Sequence, residues 1–462
     1  ETYPLAMCLD GSPASFYVRR APKTSPNASK WVLHFQGGHQ CELHESNSTV
    51  KNCHRRAQTE LGSSRFDEKQ YDLGSTPIMS SRASLSPTWH DWNVVMLRYC
   101  DGMNWAVTLQ ESVDLSGMDP LFFRGGKNVE AIVETLLHSH GMDMASDVIV
   151  YGCSAGGVGA IVHADRIRAM LSNSSFYAVI SDGAYLPDFS HQPGHKNEDV
   201  FSDSALLSRL SYFLWPLQFR ENALDLVGES PSHENKYVPS AYYRNDPLVK
   251  RYVDPACVAS LTERFSWEAV AVYLCHVPYY AIPHVTAPLF ILTSKHDTTW
   301  LPFVSVSNPV YLWLSQLVTN KIGHHVGASL LQRVSEHDRR HPDSPLGVVI
   351  DSCAHHCDWW GQIRFSDGRT NADAFADWYR ETREWWEGAS GVAPKVQLTQ
   401  NRSFPCESCC ETPLAVSVEH QRLLREFNNF EGGRDLTSDA TSPRSQFEVV
   451  MQRVNPYGVS TS

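Results

Sequence analysis

Residues 152–156 read Gly-Cys-Ser-Ala-Gly, a Gly-x-Ser-x-Gly signature carried by Gly152, Ser154 and Gly156. No other stretch limits the possible folds as tightly. The apolar run Val148, Ile149, Val150 precedes it and predicts a buried strand, and residues 158–171 place apolar side chains at helical spacing behind it. Strand, sharp turn and helix is the setting in which this signature becomes a nucleophile elbow, with the serine hydroxyl held up at the strand's end. The glycines follow from the sharpness of the turn, because a side chain at either position would collide with the neighbouring strand or helix.

The rest of the chain supplies matching parts. β-Branched runs at 31–35, 93–99, 177–181, 288–292 and 346–350 predict further strands, and 127–140 and 371–386 have helical spacing. Such alternation predicts an α/β fold, with a mainly parallel central sheet flanked by helices. Residues 1–410 read as one domain. The segment from about 185 to 285, rich in His, Pro and aromatics, breaks the rhythm. It is expected to fold as an insertion over the sheet's carboxyl edge, where such folds bind ligands; its apolar side chains equally suit a small core of its own. From about Gly388 the chain reads as irregular, ending in a polar tail at 411–462.

Composition narrows the partners. The 39 basic and 51 acidic residues leave a net charge of −12, which argues against nucleic acid and anionic membrane surfaces. No apolar run approaches the roughly 20 residues of a membrane span. Twelve cysteines, with N-glycosylation sequons at Asn27, Asn47, Asn173 and Asn401, predict a secreted protein, and a start at Glu1 fits a removed signal peptide. The clusters at 353–357 and 406–410 lack separated metal knuckles, so disulfides are expected there and no metal. A Cys353–Cys357 bridge would stiffen its loop. Cys153, beside Ser154, is expected to be buried and reduced.

A serine needs a base to take its proton and an acid to orient that base. After an elbow the partners follow in the order acid, then histidine. Asp297 follows the run 288–292, and His355 and His356 follow 346–350. Asp182 is a rival acid, placed early for the role, and Asp351 lies just ahead of the histidines. His34, inside a strand, reads as a packed residue. An oxyanion would need backbone N–H donors. Ala155 should supply one and the turn Gly37-Gly38-His39 others.

At these residues the chain resembles the pectin acetylesterase family, which has the animal deacylase Notum among its relatives. The resemblance runs from about residue 6 to 410. It rests on 7–13 (Met-Cys-Leu-Asp-Gly-Ser-Pro), Trp92-Asn93, 98–102 (Arg-Tyr-Cys-Asp-Gly), Phe123-Arg124-Gly125, the elbow, Ser181-Asp182, 288–297, 352–357 and Asp377-Trp378-Tyr379. It implies an α/β-hydrolase-like fold, no cofactor and serine esterase chemistry. It also implies Ser154, Asp297 and His356 as the triad, choosing His356 over His355, and Gly38, His39 and Ala155 as oxyanion donors. Plant members usually read Glu-Gly-Gly-Gly-Trp-Cys where this chain has Gln36-Gly37-Gly38-His39-Gln40-Cys41. The polar replacements point to a small acyl group, although the insertion could still add apolar walls. The expectation is a secreted carboxylesterase that removes acetyl groups from a polysaccharide such as pectin. The alternatives are a Notum-like protein O-deacylase and a catalytically silent binding relative.

Overall fold

The computed structural model describes residues 3–41, 47–71, 77–113, 117–173, 175–185, 187, 247–265, 268–299, 309–404, 406, 410 and 450–453. Nine strands form one sheet among them: β1 (Ser15–Arg19), β2 (Lys30–Phe35), β3 (Asn93–Leu97), β4 (Asp147–Cys153), β5 (Phe176–Asp182), β6 (Leu289–Ser294), β7 (Leu346–Asp351), β8 (Lys395–Thr399) and β9 (Val450–Arg453). Their order is β8-β7-β6-β5-β4-β2-β3-β1-β9. Every neighbouring pair from β8 to β3 is parallel. β1 runs antiparallel to β3, and β9 antiparallel to β1. This is the expected mainly parallel α/β sheet.

Parallel strands covered on both faces must be apolar on both sides. Successive side chains point to opposite faces, and the two cores divide accordingly. Val148 and Val150 join Leu33, Val179, Ile291 and Val348 on one face. Ile149 and Tyr151 join Val32, Ile180, Phe290 and Val349 on the other. The first core is closed by Val129, Ile132, Val133 and Leu136 of α2 (Gly125–His140) and by α3 (Ala155–Val162). The second is closed by Phe375, Trp378 and Tyr379 of the helix Asn371–Trp386, which opens on a Thr370–Asp373 capping box. That helix is bolted to the start of the elbow strand. Arg383 Nε lies 2.9 Å from Asp147 Oδ1, and the Tyr379 hydroxyl donates to the same oxygen at 3.0 Å.

Several elements differ from the sequence reading. The run at 158–171 is two helices, α3 and α4 (Ala164–Met170), parted at the buried His163, whose Nε2 meets Trp105 O at 2.8 Å. The stretch after Gly388 is not wholly irregular. β8 forms one edge of the sheet, and β9, inside the polar tail, pairs with β1 at the other. Residues 411–449 and 454–462 of that tail lie outside the described residues, as do 188–246 of the expected insertion. What is described of the insertion is helical: Pro247–Arg251, Pro255–Phe265, Glu268–Leu274 and Pro278–Ala281.

Disulfides join Cys8–Cys100, Cys41–Cys53, Cys153–Cys357, Cys257–Cys275 and Cys353–Cys410, and Cys406 is disulfide-bonded too. Two expectations are thereby corrected. Cys153 is not reduced, and Cys353 does not bracket Cys357. The reason is spatial. Cys153 ends β4 opposite Asp182 of β5, and Cys357 Sγ sits 3.6 Å from Asp182 O. The end of β5 therefore gathers two cysteines 204 residues apart.

Candidate active site

The turns after β2, β4, β5, β6 and β7 leave from the carboxyl ends of parallel strands, so they share one edge of the sheet. On these turns lie Gly38 and His39, Ser154, Asp297 and His356, and Asp182 is the last residue of β5.

Ser154 has φ 57° and ψ −124°, a backbone that L side chains seldom adopt. It is held there by two bonds: its N–H donates to Asp182 O at 2.9 Å, and its carbonyl accepts from Val158 N at 3.1 Å. The motif glycines are obligatory. A Cβ on Gly152 would lie 2.1 Å from Gly156 O, and one on Gly156 would lie 1.9 Å from Phe35 O.

The buried Asp297 and the half-buried His356 meet as a pair. Both carboxylate oxygens accept from His356 Nδ1, at 2.9 and 2.8 Å. Asp297 is 1% exposed and also accepts from Thr299 N at 2.8 Å. An ionised carboxylate only accepts, so the proton sits on Nδ1 and Nε2 keeps its lone pair. Burial opposes charge on His356, but the Asp297 charge and hydrogen bond outweigh it, and its pKa is raised. The turn carrying Asp297 is clamped from behind. His296 Nδ1 meets Ser352 O at 3.1 Å, and the His296 ring fills the gap left by Gly323 of the helix Pro309–Arg340. His355 is engaged elsewhere. Its Nε2 pairs with both oxygens of Asp351 at 3.1 and 3.0 Å, and its ring stacks on Trp359. The rival acid Asp182 makes no hydrogen bond to His356; its Oδ2 accepts from Asp358 N at 2.9 Å and Trp360 Nε1 at 3.0 Å. Ser154 Oγ makes no hydrogen bond to His356 among the described residues, and such a contact commonly closes only when substrate binds.

Three amides on the turns of β2 and β4, those of Gly38, His39 and Ala155, make no hydrogen bond to the protein among the described residues. β2 lies next to β4, and a Cβ on Gly37 would sit 3.3 Å from Ser154 Cβ. The turn is fixed from outside. Arg56 Nη2, from α1 (Asn47–Ala57), donates to Gly38 O at 2.6 Å, Trp105 Nε1 donates to Gln36 O at 3.1 Å, and Cys41 is bonded to Cys53. Gln36 Oε1 accepts from Arg98 Nη1 at 2.8 Å and Tyr99 N at 2.9 Å, while Gln40 Oε1 accepts from Asn104 Nδ2 at 2.8 Å. His39 has φ 56°. Its side chain is exposed to solvent, and the protein shields it only in part. Partial desolvation, then the charges of His356 and Arg56, lower its pKa from the ordinary 6.5, so the ring is neutral near pH 7.

The other expected positions fall as follows. His34 is packed, its ring stacked on Tyr151 at 5.2 Å, and burial lowers its pKa to about 3. Asn173 and Asn401 are exposed, and Asn401 Oδ1 accepts from Lys295 Nζ at 2.7 Å. The Asn27 amide is spent on Asp91, at 3.0 and 3.1 Å. Asn47 opens α1, and its side chain is not among those described. Cys153, His356 and Cys357 bring potential metal-ligand atoms within 4.8 Å of one another, but the two sulfurs are bonded to each other. No helix among the described residues is long and apolar enough to cross a membrane. Sequence reasoning overlooked Arg56, Tyr151, Gly183 and Asp358. The first three carried no signal beyond their types, whereas Asp358 stands two residues after His356.

Residues 2–213 match the pectinacetylesterase family model. Pectin acetylesterase 5 of Arabidopsis thaliana is 27% identical over 392 residues, covering 81% of this chain and 77% of its own. The palmitoleoyl-protein carboxylesterase NOTUM of Schmidtea mediterranea is 28% identical over 186 residues, 39% of this chain and 33% of its own. The solved structure of the Wnt deacylase Notum from Drosophila covers 88% of this chain and 97% of its own, with a TM-score of 0.61 at 20% identity, and so shares the α/β-hydrolase-like fold. The chain is thus similar to the pectin acetylesterases and, over a shorter stretch, to the Notum carboxylesterases.

Proposed function

We propose that the chain is a secreted serine esterase that removes acetyl groups from an acetylated polysaccharide such as pectin. The observation that carries this reading is the Asp297–His356 pair at 2.8 and 2.9 Å, on the same sheet edge as an elbow serine and three amides with no acceptor among the described residues. Nε2 of His356 takes the proton of Ser154 as Oγ attacks the ester carbonyl. The oxyanion forms against the N–H groups of Gly38, His39 and Ala155. His356 returns the proton to the departing sugar hydroxyl. Water, deprotonated by the same ring, then releases acetate. Asp297 keeps the tautomer and stabilises the imidazolium without taking its proton. No cofactor is required by these steps.

The neutral His39 ring and the amide of Gln40 give the oxyanion turn a polar surface, which suits a short acyl group on a sugar. Four sequons and the paired cysteines support passage through an oxidising compartment. Acetate release from acetylated pectin, set beside hydrolysis of p-nitrophenyl acetate and octanoate, tests the reading. Acetate release with a preference for the short ester is expected. A strong octanoate preference with no acetate release would favour the lipid deacylase instead.

A further inference from the structure

Asp182 ends β5 between the nucleophile's turn and the histidine's loop, and its oxygens are divided between them. The carbonyl oxygen accepts from Ser154 N at 2.9 Å. Oδ2 accepts from Asp358 N at 2.9 Å and from Trp360 Nε1 at 3.0 Å, both just beyond His356. The Tyr151 hydroxyl, on the elbow strand, reaches the same oxygen at 3.4 Å and Asp358 Oδ1 at 2.5 Å. The side chain is 3% exposed.

The loop it holds would not keep its shape alone. Cys357 and Asp358 have φ 45° and 61°, two consecutive left-handed residues that are not glycine. Such backbone persists only where surrounding contacts over-determine it, and it gathers at functional sites. The next residue on β5's side, Gly183, has φ 57°, and a Cβ there would meet Cys357 Sγ at 2.9 Å and His356 Nδ1 at 3.3 Å. The imidazole therefore lies directly on the chain that Asp182 anchors.

We propose that Asp182 is a positioning residue for the esterase reaction. Its backbone oxygen fixes the turn of Ser154, its carboxylate fixes the loop of His356, and one residue thereby links the two. This rests on the assignment of Ser154 and His356 as nucleophile and base. Proton transfer needs a reach of about 2.6–3.2 Å, and a misplacement of about 1 Å costs on the order of 100-fold in rate. The carbonyl contact survives any substitution at 182, so a variant isolates the hold on the histidine loop.

The test compares the full-length parent with Asp182→Ala, Asp182→Asn and Ser154→Ala, reading kcat and KM on p-nitrophenyl acetate, fluorophosphonate labelling rate and melting temperature. Asp182→Ala is expected to lose about 100-fold in kcat and in labelling rate while KM stays near the parent value. Asp182→Asn keeps an oxygen for the same N–H donors and is expected to recover most of that loss. A folded Asp182→Ala enzyme with parental kcat overturns the proposal, as does an Asn variant no faster than the Ala variant. Should Asp182→Ala fail to fold, Trp360→Phe removes a single donor and is read instead. Its kcat should fall about 2- to 10-fold at constant KM, and an unchanged kcat overturns the proposal. Full activity in Ser154→Ala would instead sink the underlying assignment, whatever Asp182 does.

Discussion

Cys153 and Cys357 are joined by a disulfide, and each is the immediate neighbour of a proposed catalytic residue, Ser154 and His356. The bond ties the nucleophile's strand to the base's loop across 204 residues of chain. It acts with Asp182 rather than in place of it, one link being covalent and the other made of hydrogen bonds.

Replacing both cysteines with serine should therefore have two effects. Loss of a bridge that closes so long a loop should lower unfolding free energy by roughly 3–5 kcal/mol in denaturant titration. The kcat should fall as well, because the left-handed turn after His356 loses its covalent restraint. A variant that is less stable but turns over at the parental rate would confine the bridge to stability.

The pH profile should report His356. Its imidazole must be neutral to act as a base, and the Asp297 charge outweighs burial to raise its pKa above the ordinary 6.5. The acid limb of kcat/KM should then have its midpoint above pH 6.5. Asp297→Asn removes the charge, so the limb should move down while kcat drops by about 10⁴, as it does when the orienting acid of a triad is lost. A limb that stays in place in the variant would assign it to another group.

Asp358 should make stability depend on pH. Its half-buried carboxyl shares the Tyr151 hydroxyl with Asp182, and desolvation and then the Asp182 charge push its pKa from 3.8 to about 6. A raised folded-state pKa means that this group's contribution is full below the unfolded value and is lost as pH rises towards 6. Asparagine at 358 cannot ionise and tolerates the positive φ. The stability of Asp358→Asn relative to the parent should thus grow by about 2–3 kcal/mol between about pH 4 and about pH 7. A pH-independent difference would show that Asp358 titrates normally.

Gly183→Ala should damage both fold and rate. At φ 57° an alanine is strained, and its methyl would press on Cys357 Sγ and the His356 ring. A loss of roughly 1–3 kcal/mol in stability is expected, with a lower kcat. Gly368→Ala is the control: its φ is 87° and nothing lies within 4 Å, so it should carry the backbone strain without the rate loss.

The parallel sheet was legible because its strands are short, β-branched and apolar on both faces, as 148–150, 177–181 and 346–350 show. β8 was not, because Lys395–Thr399 carries polar residues between its apolar ones and is only partly buried, and β9 lies within a stretch whose composition reads as a polar tail. The helix Pro309–Arg340 was overlooked because Asn320, Lys321, Gly323, His324 and His325 interrupt any apolar stripe. Asp297 and His356 were found by chain order and resemblance, and the structure brings them into contact. The Cys153–Cys357 bond escaped because spacing along the chain says nothing about which turns meet at the end of β5. Asp182 was weighed as an acid because it follows a strand; its contacts with Ser154 N, Asp358 N and Trp360 Nε1 are tertiary and leave no local mark.

The most direct test of the account is the Ser154→Ala variant, assayed for acetate release from acetylated pectin and for fluorophosphonate labelling. The hydroxyl is the only group removed, and the elbow backbone is kept. Acetate release should fall at least about 10⁴-fold and labelling should vanish, with the melting temperature near that of the parent. Acetate release at the parental rate from the folded variant would contradict the account.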